Sequence, residues 1–119
     1  MQIAIGDPQR DRWTPVEALV DTGASISSAP ASVLHDLGVL PLVKQNFRFG
    51  QGEVRSMDVG QTWIRVEDRE VITLVLFNEE GTQPLLGALA LEGMFMGVDP
   101  VGKRLLPVEG LMMRLGLPA

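Results

Sequence analysis

Apolar and polar residues alternate with a period of two in several short runs of this chain. Turn-forming residues separate the runs, which predicts strands rather than long helices. Met1 to Ile5 alternates and stops at the turn cluster Gly6-Asp7-Pro8. Trp13 to Val20 is a second strand running into Asp21. Phe47-Arg48-Phe49 and Val54 to Val59 flank Gly50-Gln51-Gly52-Glu53, the pattern of a hairpin and its tip. Gln61 to Val66 alternates, and Glu67-Asp68-Arg69-Glu70 is a solvated turn. Val71 to Phe77 is nearly continuously apolar, the mark of a strand covered on both faces. After a turn over Val98-Asp99-Pro100-Val101-Gly102-Lys103, Arg104 to Val108 is a final strand.

Two segments have helical spacing instead. Val33, Leu34 and Leu37 share one face, with Ser32 placed to cap a short helix and Gly38 to end it. Ala88 to Met96 is the second, preceded by Leu85-Leu86-Gly87 and closed by Gly97. The tail from Gly110 to Leu117 has two apolar faces and suits a helical turn packed on the body. No linker or internal repeat interrupts the pattern. The expectation is a mainly β fold, one domain over residues 1–119, with one or two short helices.

Composition narrows the function classes. A chain of 119 residues supports one hydrophobic core but not two. With 45% hydrophobic and 21% charged residues, it has a globular rather than a disordered balance. A net charge of -5 argues against a nucleic-acid surface, which needs a basic patch. No run of about 18 apolar residues offers a membrane span, and no basic-then-apolar start reads as a signal peptide. A cytoplasmic location is therefore the expectation. Without cysteine there is neither a disulfide nor a thiolate metal site. No His-x-x-x-His or clustered acid spacing supports a metal, so no cofactor is expected.

The residues richest in chemistry are Ala18-Leu19-Val20-Asp21-Thr22-Gly23-Ala24-Ser25. An apolar strand ends on one carboxylate, which a tight loop of small residues then presents. Gly23 permits close backbone approach, and Ala24 and Ser25 leave room beside the acid. Hydrolysis of a peptide bond by an acid pair needs one carboxylate to take a proton from water while a second, protonated, polarises the carbonyl. Two carboxyls about 3 Å apart cannot both ionise and so share a proton. The chain has one such loop. Met57-Asp58-Val59-Gly60 and Val98-Asp99-Pro100 place an acid after an apolar residue but lack the Thr-Gly that follows Asp21. A two-fold contact would supply the second acid as another copy of Asp21.

Asp-Thr-Gly-Ala resembles the active-site signature of the pepsin-like and retroviral aspartic proteases, and the chain resembles their retropepsin-like, single-domain branch. Two further elements follow in that family's order. Leu85-Leu86-Gly87 before Ala88 to Met96 is similar to the apolar-apolar-Gly triplet that packs beneath the catalytic loop. Phe47 to Val59 is similar to the glycine-rich flap that closes over the substrate. The stretch Leu85 to Val108 further resembles a small prokaryotic subgroup, so the likeness spans roughly residues 15 to 108. Viral members carry an acid just after Asp-Thr-Gly-Ala and an arginine just after the second glycine; here Ser25 and Ala88 stand there, both uncharged.

The resemblance implies an acid-protease barrel with a flap, working as a homodimer on a peptide or protein substrate. It implies Asp21 as the catalytic acid, Thr22 bracing the pair, and Gly23, Ala24 and Ser25 shaping the loop. Phe49, Gly50, Gln51 and Gly52 would form the flap, and Ile26 and Leu86 would line the substrate pockets. Leu85, Leu86 and Gly87 would form the structural second motif. The alternative is a module that keeps this fold and binds an extended peptide without turnover. His35 suits a surface position, and Trp13 and Trp63 suit core or interface anchors. Met94, Met96, Met112 and Met113 suit adaptable apolar packing or a dimer contact. Ser25, Ser27 and Ser28 have no histidine at the spacing of a serine hydrolase.

Overall fold

In a computed structural model, residues 1–102 and 104–110 are described. The expected mainly β architecture is present. Its elements are β1 (Gln2–Gly6), β2 (Trp13–Glu17), β3 (Leu19–Val20), β4 (Ser27–Pro30), α1 (Ala31–Asp36), β5 (Val43–Arg48), β6 (Val54–Val66), β7 (Arg69–Asn78), β8 (Leu85–Leu86), α2 (Ala88–Gly93), β9 (Met96–Asp99) and β10 (Arg104–Pro107). Eight strands join in one sheet of order β2-β1-β6-β7-β4-β8-β3, with β5 added to β6, and β9 and β10 pair separately. Among the described residues, no helix is long and apolar enough to cross a membrane.

The two ends of the sheet are successive pieces of one extended segment. Trp13–Glu17 pairs antiparallel with β1, and Leu19–Val20 pairs parallel with β8. The expected single strand over Trp13 to Val20 therefore changes partner at Ala18, a buried residue whose amide donates to the Met1 carbonyl at 2.8 Å. The sheet curls back on itself through this residue, and no hydrogen-bonded ladder between β2 and β3 closes it.

β6 runs for 13 residues, and Gly60 does not break it. Its buried side changes there: Met57 and Val59 are covered on one face, then Thr62, Ile64 and Val66 on the other. That switch explains why the alternation reads as two strands. A β-carbon on Gly60 would lie 2.9 Å from the Leu40 carbonyl oxygen, so glycine is needed where the crossing segment packs. Arg69 and Glu70, expected in a turn, already belong to β7, and only Glu67 and Asp68 connect the strands.

The other face of β7 corrects a second expectation. From Val75 onward the strand is covered on both faces, but Ile72 and Leu74 are 45% and 38% exposed. They share a face with Leu76, and the β5–β6 hairpin covers that face only at Leu76, beside Val59. The opposite face builds the core. Ile5, Ala29, Leu34, Val39, Val75 and Phe77 pack in one cluster; Ile3, Ile64, Val66, Leu86, Leu91 and Met94 pack in another.

α1 ends as its sequence predicts. Gly38 adopts φ 76°, and the amides of Gly38 and Val39 return to the carbonyls of His35 and Leu34. Its start differs: Pro30 is the N-cap, and Ser32 lies inside the helix. The Glu80 carboxylate takes the capping role, accepting from the Ser32 hydroxyl and, at 3.1 Å, from its amide. α2 stops at Gly93 rather than Met96, because Phe95 turns to φ 55° and the chain enters β9. Val98 and Asp99, expected in a turn, pair with β10 instead. Met94 and Met96 are buried in the core. The expected tail helix and Met112 and Met113 lie outside the described residues.

Candidate active site

Asp21 owes its position to the short parallel pairing of β3 with β8. Leu19 donates to the Pro84 carbonyl at 2.9 Å, and the Asp21 amide to the Leu86 carbonyl at 3.0 Å. The chain then turns: Ala24 donates back to the Asp21 carbonyl at 3.1 Å, and the Gly23 amide to Asp21 Oδ1 at 2.9 Å. One carboxylate oxygen is thereby fixed by its own loop, and the half-buried side chain is held at the strand end.

The loop is locked to the first turn of α2. A helix leaves its first amides without internal partners, and α2 has no side-chain cap. Here the loop carbonyls serve instead. Ala88 donates to Ala24 at 2.8 Å and Leu89 to Ser25 at 3.1 Å. The Gly87 amide donates to Ser27 Oγ at 3.0 Å. A β-carbon at Gly87 would collide with the Ile26 backbone, so Leu85-Leu86-Gly87 must end in glycine. Ser25 and Ala88 carry no charge to pair, and backbone bonds join their two segments.

A cleft of about 520 Å³ opens above this loop. Its floor is one face of three strands. Ser28 pairs with Leu76 of β7 and Leu85 of β8, and these three line the cleft together with Ile26 and Asn78. Neighbouring Ser27, Ala29, Val75, Phe77 and Leu86 are buried on the opposite side. Phe47, Arg48, Phe49 and Gly50 form the roof. Phe47, Phe49 and Ile26 pack on the cluster of Met57, Val59 and Leu76, which joins roof to floor. At the hairpin tip, Phe49 and Glu53 are bonded across the turn at 2.8 Å, and Gly52 adopts φ 85°. Arg55 lies 4.6 Å from the Phe49 ring and pairs with Glu79 at 2.7 Å.

Of the residues singled out from sequence, Asp21, Gly23, Ala24, Ser25, Ile26, Phe49 and Gly50 line this one cleft. Thr22 is exposed beside it, and Gln51 and Gly52 are exposed at the hairpin tip. Leu86 is fully buried in the core, and Leu85 faces the cleft in its place, because the register turns successive residues to opposite sides. Phe47 and Arg48, from the expected flap segment, line the cleft too, and Ser28, Leu76 and Asn78 do so without having been anticipated. For Leu76 and Asn78 the signal was their two-residue spacing; for Ser28, a strand made of small residues hid it. His35 is exposed, its ring 5.2 Å from that of Phe77, and away from the cleft lining. Trp13 and Trp63 are half-buried, with Arg65 and Arg10 over their rings at 3.8 and 4.5 Å. Both guanidinium groups bond to Glu70.

The family described as "gag-polyprotein putative aspartyl protease" matches residues 12–93. The fold is similar to the solution structure of the simian foamy virus (mac) protease, with a TM-score of 0.57 and 23% sequence identity over 77% of this chain and 90% of that one. No curated protein matches the chain.

Proposed function

The chain belongs to the retropepsin-like gag-polyprotein aspartyl protease family, and on that premise we propose that it is an endopeptidase active as a homodimer. One observation carries the reading: among the described residues, Asp21 is the sole carboxylate lining the cleft. An acid-pair mechanism needs two, and a second copy related by a two-fold axis brings a second Asp21.

In this mechanism the ionised carboxylate of the pair takes a proton from water, whose oxygen attacks the peptide carbonyl. The protonated partner donates to that carbonyl oxygen. The tetrahedral intermediate then collapses, the C–N bond breaks, and the leaving nitrogen takes a proton from the pair. The hydrogen bond from the Gly23 amide to Asp21 Oδ1 preorganises one oxygen for this work. Thr22 braces the two loops against each other. The β5–β6 hairpin acts as the flap, covering an extended peptide held along the strands of the floor.

The test is cleavage of a degenerate peptide pool between about pH 3 and 7 by wild-type and Asp21→Asn protein, with mass in solution read by light scattering. Cleavage in mild acid by a wild-type dimer, reduced roughly 100- to 10,000-fold in the variant, is the expected result. Equal cleavage by both proteins would sink the mechanism. A folded wild-type dimer without cleavage would leave the peptide-binding module.

A further inference from the structure

Ser27 and Ser28 are adjacent, both almost fully buried, and differently employed. Ser27 Oγ accepts from the Gly87 amide at 3.0 Å. Ser28 is 4% exposed, lines the cleft, and its Oγ has no hydrogen-bond partner among the described residues. A hydroxyl removed from water without a partner opposes folding. Alanine would fit the strand without that cost, so the hydroxyl points to a ligand that completes it.

Asn78, 6% exposed, lies on the same face of the floor. Its Oδ1 accepts the Glu79 amide at 2.8 Å, which orients the carboxamide and leaves Nδ2 as the group to meet a ligand. Leu76, Leu85, Ile26 and Phe47 add apolar surface to the same cleft, and a hydrogen bond sheltered from water is stronger than one in it. The floor thus combines a hydroxyl, able to donate or accept, with an amide donor. The nearby Asp21 carboxylate in the same cleft disfavours an acidic guest.

We propose that Ser28 and Asn78 form a specificity subsite that selects peptides carrying a neutral amide or hydroxyl side chain (Asn, Gln, Ser or Thr) at one position near the cleavage point. This deepens the protease reading and rests on it for the word cleavage, but not for the word binding. A site built to hydrogen-bond its guest rejects the apolar analogue strongly, whereas an apolar pocket discriminates weakly.

The experiment uses two degenerate peptide pools, one with ordinary amide bonds and one with uncleavable reduced amide bonds, on wild-type, Ser28→Ala and Ser28→Thr proteins. Cleaved products are sequenced from the first and retained peptides from the second. Asn, Gln, Ser or Thr should be enriched roughly ten-fold at one position. Ser28→Ala, which adds no volume, should lose the enrichment, and Ser28→Thr, which keeps a hydroxyl, should retain it. Enrichment in the retained pool without cleavage by the wild type would sink the protease reading and uphold the subsite. Cleavage with aliphatic or acidic preferences at every position, or an enrichment unchanged in Ser28→Ala, would overturn the subsite and uphold the protease. Neither cleavage nor retention would overturn both.

Discussion

A β-carbon placed on Gly87 would lie 2.5 Å from both the carbonyl carbon and oxygen of Ile26. These are backbone atoms of the loop that carries Asp21, so the loop must move if the carbon is added. Gly87→Ala should cost about 1–3 kcal/mol and lower cleavage roughly 100-fold, the scale of a misplacement of about 1 Å at a reacting group. Urea unfolding and peptide cleavage measured together check this. Wild-type stability and rate in the variant would contradict the packing described.

The two serines of β4 should behave oppositely when shortened. Ser27→Ala leaves the buried Gly87 amide without its 3.0 Å acceptor and should cost about 1–3 kcal/mol. Ser28→Ala removes a hydroxyl that bonds to nothing among the described residues, and should be neutral or slightly stabilising. Denaturant midpoints of the two variants test the contrast, and equal losses would refute it.

Phe47 packs on the cluster of Met57, Val59 and Leu76, which joins the hairpin to the floor. Truncation to alanine should loosen the hairpin while sparing the core around Leu34 and Val75. Hydrogen exchange of amides in Val43–Arg48 should speed by roughly ten-fold, with little change in the amides of Ile64 and Val66. Uniform acceleration throughout the chain would show instead that the hairpin and body open as one unit.

Acid should weaken the fold through three carboxylates. Backbone donation from Arg12, then Asp11, to the largely buried Asp7 holds its carboxyl below the ordinary 3.8. Arg10, then Arg65, hold Glu70 below the ordinary 4.5, and Ser32 does the same for Glu80. Because the native values are lowered, the stabilisation is present above the ordinary values and is lost as pH falls through the native ones. Melting temperature should therefore be flat above about pH 5 and fall below it. Glu70→Gln should flatten that acid limb; a limb identical to wild type would remove Glu70 from the account.

The parts of the fold that could be read in the sequence are those whose cause is local. Gly38 ends α1 because a left-handed residue is needed one step past the helix, and the residue itself announces that. The turn that Gly23 and Ala24 close onto Asp21 and the hairpin tip near Gly52 are equally local, although what holds that turn in place is not. Ser27–Pro30 is different, since Ser-Ser-Ala-Pro carries no apolar alternation and becomes a strand only through β7 on one side and β8 on the other. The same pairing brings Ser28 and Asn78 into the cleft, across distances in sequence that no periodicity spans. Leu85 and Leu86 look alike in the chain, and only the register with β3 and β4 decides which one meets the cleft. For α2, an apolar continuation through Met96 concealed the point at which Phe95 leaves the helix.

The length of β6 gives the cleft a mechanical character. Its far half, Val59–Val66, is clamped against β7, with β1 gripping its outer edge at Ile64 and Arg65. Its near half extends past Gly60 to carry the roof, paired along its backbone with β5 and tied to the floor by side chains, Arg55 to Glu79 and Phe47 and Phe49 onto the cluster that includes Leu76. Such a roof is a continuation of a core strand rather than a separate lid. Raising its tip must first part those side-chain contacts, and the strand beyond Gly60 stays seated through Ile64 and Val66.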